Sequence, residues 1–102
     1  MITHIVLLKI RPDVSQEDLD RVFSDLATLK TKIDGLLSFS GGPYSSHEGL
    51  SRGFTHGFIM TFSDAAARDA YLPHPEHGKV KSRVIEILDG GIDGVISFDY
   101  ES

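Results

Sequence analysis

The chain predicts a single α+β domain of order β-α-β-β-α-β, with the second helical region split in two. Three observations carry this. Residues 2–10 and 54–62 alternate as strands do, yet both are apolar on each face, the pattern of strands covered from two sides. The stretch after Ser15 is apolar at helical spacing. The length, 102 residues, holds one core, in which roughly 60–65% of the unfolded chain's surface is buried.

In residues 2–10, Ile2, His4, Val6, Leu8 and Ile10 share one face, and Ile5, Leu7 and Lys9 the other. Pro12 ends the strand, because it cannot continue an interior ladder. Ser15 followed by Asp18 has the shape of a capping box. Leu19, Val22, Phe23, Leu26, Leu29, Lys30 and Ile33 keep the i, i+3, i+4 spacing, with Lys30 as the polar exception, and Gly35 stops the helix. Residues 36–41 form a weaker strand that Gly41-Gly42-Pro43 breaks, and 42–52 form a polar loop.

In residues 54–62, Phe54, His56, Phe58, Met60 and Phe62 make a bulky face suited to helices. Thr55, Gly57, Ile59 and Thr61 make a small, mildly apolar one. Ser63 caps a helix running to about Tyr71, with Asp64 in its first turn. Pro75 opens a further helix carrying Val80, Val84, Ile87 and Leu88 on one side, which Asp89-Gly90-Gly91 closes. The last strand spans Ile92 to Tyr100. Right-handed crossovers then place the first and third strands at the centre of the sheet. One face takes the helices. The other, with Ile5, Leu7 and Ile59, is apolar and has nothing in the chain to cover it, which predicts a homodimer packed sheet to sheet.

Composition narrows the function. The net charge of −5, without a run of Lys or Arg, argues against a nucleic-acid surface, which needs a clustered basic face. The absence of cysteine removes disulfides, thiolate catalysis and cysteine zinc sites. No apolar run approaches the ~20 residues of a membrane span. Met-Ile-Thr-His at the start lacks a secretory pattern, so a cytoplasmic protein is expected.

The residues able to do chemistry cluster in Gly53–His77. His4 and His56 point to the helix-facing side of neighbouring strands, Tyr71 ends the covering helix, and His77 lies one turn into the next. Convergence of the four between sheet and helices would make a small-molecule site, with a neutral histidine as base. Each residue also has a structural alternative. His4 and His56 can be satisfied core histidines, His74 a helix cap, and Tyr71 a packing residue. His74 and His77 are three apart with Glu76 between, but without a clear third ligand no metal site is expected.

Three segments, His4-Ile-Val-Leu-Leu-Lys-Ile, Gly53-Phe-Thr-His-Gly-Phe-Ile-Met-Thr-Phe and Tyr71-Leu-Pro-His-Pro-Glu-His77, together with Ser97-Phe-Asp-Tyr100, resemble the Dabb family of stress-responsive α/β-barrel proteins. The resemblance covers essentially the whole chain, 1–102, as one domain. It implies a ferredoxin-like fold and a homodimer that closes an α+β barrel across two sheets. It also implies likeness to the plant polyketide cyclase that makes olivetolic acid, which needs no cofactor. On that likeness Tyr71 and His77 become an acid–base pair, and His4, His56, Phe23 and His74 become substrate-binding residues. The expected reaction is lyase or cyclase chemistry on a β-keto or similar small carbonyl compound. The competing expectation is a non-catalytic ligand-binding or stress-protective dimer.

Overall fold

The computed structural model describes residues 1–102. In chain order, β1 spans Ile2–Leu8, α1 Gln16–Thr28, β2 Leu36–Pro43, β3 His56–Phe62, α2 Ala65–Tyr71, α3 Pro75–Glu86 and β4 Val95–Glu101. The strands form one antiparallel sheet in the order β2-β3-β1-β4. As the two-sided apolar patterns of 2–10 and 54–62 predicted, β1 and β3 are the central pair. No helix is long and apolar enough to cross a membrane.

The core lies between one sheet face and the helices. Leu8, Met60 and Phe62 from the sheet are fully buried, and Leu19, Val22, Leu26, Val80 and Ile87 close over that face from α1, α3 and the end of α3. The opposite face stays open. On it lie Leu7, Ile59, Ile96, Phe98 and Tyr100, all exposed. Cross-strand register places Phe98 opposite Ile5, and Ile5 opposite Ile59, so these side chains form a continuous apolar surface.

Element ends differ from the sequence reading for identifiable reasons. Gly41 does not break β2, which continues to Pro43. A Cβ at Gly41 would come within 2.9 Å of Phe23 and the Gly57 carbonyl, so this glycine serves close packing. Pro43 is tolerated because β2 is an edge strand. α1 gives way at Leu29 to a tighter 3₁₀ turn, Leu29–Thr31, which shifts the phase so that Leu29 and Ile33 are buried while Lys30 turns outward. Gly35, at φ +83°, closes the connection. The last strand begins at Val95, because Gly91–Gly94 forms a 3₁₀ turn first.

The cap of α2 is Asp64, one residue later than the sequence suggested: its carboxylate accepts from the Ala67 amide at 2.8 Å. Asp64→Ala should therefore cost ~1 kcal/mol of unfolding free energy, and Ser63→Ala little. Urea melts of the two variants check this, and a larger loss from Ser63→Ala would reverse the assignment.

Candidate active site

A cavity of about 240 Å³ opens between the sheet and α3. β1 contributes His4 and Val6, β3 Phe58, and β4 Val95 and Ser97. From the helical side come Tyr71, Leu72, His77, Lys81, Val84 and Ile85. The lining is mostly apolar, so its few polar groups set orientation. The volume is a little under the ~300 Å³ at which ordinary ligand pockets begin, which suits a compact molecule. A hollow of about 360 Å³ near Tyr44, Leu50 and Phe54 is larger, but it borders the open sheet face and contains neither Tyr71 nor His77.

Tyr71 ends α2 and is 2% exposed. Its ring stacks on His77, with centroids 4.1 Å apart and planes 33° apart, and His4 meets it edge-on at 6.1 Å. Burial pushes the Tyr71 hydroxyl well above the usual phenol range, so it stays a proton donor near neutral pH.

His77 sits one turn into α3, where its Nδ1 lies 2.9 Å from the Leu72 carbonyl oxygen. A carbonyl only accepts, so Nδ1–H donates and Nε2 is left with the free lone pair. Burial lowers the His77 pKa below the ordinary value. The bond to Leu72 opposes this, and the charge of Lys81 adds to the lowering. The neutral, basic form is favoured.

His4 is buried, and its Nδ1 lies 2.5 Å from Asp99 Oδ1. The other Asp99 oxygen accepts from Arg68 at 3.0 Å. Burial works to raise the Asp99 carboxyl, but the bonds from His4 and Arg68 outweigh it and hold the pKa below the usual range. An ionised Asp99 only accepts, so His4 carries a proton on Nδ1 and its ring is held in place.

Three expected members lie elsewhere. His56 shares the helix-facing side with His4, but it pairs with Leu8 whereas His4 pairs with Met60. Four positions of strand rise separate them, roughly 13 Å. Phe58 stands between, packing on His4 at 6.4 Å and on Phe23 at 6.4 Å. His56 stacks on Phe23 at 5.9 Å, and both line a separate hollow with Asp20, Gly41 and Pro43. The expected convergence of four groups is thus corrected to three. His74 caps α3, its Nδ1 accepting from the Glu76 amide at 3.1 Å, and does not line the cavity.

Sequence reasoning missed Asp99, Arg68 and Lys81. Lys81 was within reach, because it follows His77 by four residues on one helix face. Asp99 meets His4 only through the β1–β4 register, which no local pattern reveals.

Residues 2–102 match the Stress responsive A/B Barrel Domain. The chain belongs to this family. It is 30% identical over 100 residues to the stress-response A/B barrel domain-containing protein HS1 of Arabidopsis thaliana, a match covering 98% of this chain and 88% of that protein. It is 31% identical, with a TM-score of 0.82, to a dimeric ferredoxin-like protein of unknown function from Jannaschia sp. CCS1, covering 99% of this chain and 98% of that one. The hydroxynitrile lyase of Passiflora edulis has the same fold, with a TM-score of 0.87 at 19% identity, 97% of this chain and 90% of that one being covered. The ferredoxin-like α+β architecture expected from the sequence is therefore the one this chain has, and these solved structures share it.

Proposed function

We propose that this chain forms a homodimer and uses Tyr71 and His77 to enolise a small β-keto or related carbonyl compound, as one step of a lyase or cyclase reaction that needs no cofactor. The observation that carries the reading is the Tyr71–His77 stack at the cavity wall, with His77 Nδ1 committed to the Leu72 carbonyl. His77 Nε2 removes a proton from the carbon flanked by carbonyls. Tyr71 donates a hydrogen bond to the oxygen on which charge develops. The enolate carbon attacks a second carbonyl in the same molecule, and the resulting alkoxide regains a proton from the His77 imidazolium. His4, held by Asp99 and Arg68, orients the chain of carbonyls. The resemblance to the plant polyketide cyclase supports this division of roles.

Two things support the homodimer: the apolar open sheet face and the dimeric Jannaschia relative. The mostly apolar lining also fits a binder that holds a small apolar ligand without turnover. Exchange of α-protons for deuterium, followed by NMR on a set of 1,3-dicarbonyl compounds, separates the two. Catalysed exchange is expected. Binding without exchange supports the binder and sinks the catalyst.

The pH dependence follows from His77. Its folded pKa lies below 6.5, so the neutral base predominates at pH 7. Exchange should be flat near neutrality and fall only as pH drops through that lowered value. A midpoint above 6.5 in the exchange rate against pH would contradict the assignment.

A further inference from the structure

We propose that Lys81 receives a carboxylate, so that the cavity takes a β-keto acid in preference to its neutral ester. This rests on the enolisation reading and names the substrate class for the same site.

The argument begins with the cations. Of the chain's ten Lys and Arg, Arg11, Arg21, Lys32, Arg68, Lys79 and Arg83 are engaged in ion pairs. Lys9 lies over the Phe54 ring. Lys30, Arg52 and Lys81 remain, and of these only Lys81 lines the cavity. It has no ion-pair partner, and no Asp or Glu lines the cavity beside it. Both Asp99 oxygens are taken by His4 and Arg68, and Glu76 faces Lys32 and Lys79.

Position supports the role. Lys81 follows His77 by one turn of α3, and Val84, Ile85 and Leu88 continue the same stripe along the cavity wall. Residues four apart on a helix are neighbours at ~5–6 Å between Cβ atoms, so a short molecule reaches both. Lys81 is exposed, His77 half-buried and Tyr71 buried, which puts the cation at the mouth, Tyr71 within and His77 between them. A β-keto acid fits that polarity: its carboxylate meets Lys81 at the mouth, its ketone oxygen meets Tyr71, and the intervening acidic carbon faces His77. An ammonium bordered by apolar walls is less screened than one on an open surface.

Acetoacetate and methyl acetoacetate, nearly equal in shape but differing in charge, test this by calorimetry or amide-shift titration. The wild type should bind acetoacetate about tenfold more tightly than the ester. Lys81→Met should remove that preference by weakening acetoacetate alone, and Lys81→Arg should keep it. Equal affinities in the wild type, or a preference that survives Lys81→Met, overturn the Lys81 assignment and leave the cavity reading intact, because the ester still binds. If neither compound binds, both readings fall.

Discussion

Removing His77 is expected to slow α-proton exchange on a 1,3-dicarbonyl substrate by roughly 10²–10⁴ fold, the range that a positioned general base supplies. His77→Gln is the better variant, because its amide can still donate to the Leu72 carbonyl that holds the native ring. Tyr71→Phe should cost roughly 10²–10³, the usual loss on deleting one hydrogen-bond donor to a developing oxyanion. It removes one oxygen and leaves in place the rings of His77, His4 and Phe62 that pack around it. Thermal melts of both variants establish that the fold is retained. Rates within threefold of wild type in both would remove Tyr71 and His77 from the chemistry. A loss in the double variant no larger than in either single one would show that they act as a unit.

Placing a carboxylate on the open sheet face is expected to separate the protomers. Phe98 is 61% exposed and lies across from Ile5, so Phe98→Asp leaves the core of a single protomer untouched and should change its own stability little. Within a sheet-to-sheet dimer the same aspartate would be buried without a partner, at a cost of several kcal/mol. At ~1.4 kcal/mol per tenfold, dimer affinity should fall at least ~100-fold. Sedimentation equilibrium across a concentration series gives the result directly. A variant that keeps the mass of a dimer at micromolar concentration would place the interface on another surface. The monomeric variant also shows whether binding at the cavity needs the dimer.

Much of the molecule was legible in local patterns. The two-sided apolar strands marked the sheet centre, and Ser15 capped its helix, accepting from the Asp18 amide at 3.1 Å. Pro75 opened α3. The open face was also readable, because a period of two assigns Ile5, Leu7 and Ile59 to one side regardless of what covers it. The site was legible only in part. Period two put His4 and His56 on a common face, and this held. It carries no information on how far along paired strands two residues sit. In an antiparallel pair that distance depends on register, and here register sets His4 beside Met60 and His56 beside Leu8.

Sequence alone therefore determined the main element types and the sheet face of each strand residue, because these follow from spacing and capping within a few residues of chain, while the family was legible only as a resemblance carried by particular segments. The tertiary structure decided which side chains share the cavity. It turned His74 to a backbone amide and placed Phe58 as a wall between His4 and Phe23. It also brought Asp99 from the far end of the chain to His4. Those outcomes depend on strand register and on the docking of α3, which are set by packing among residues distant in sequence.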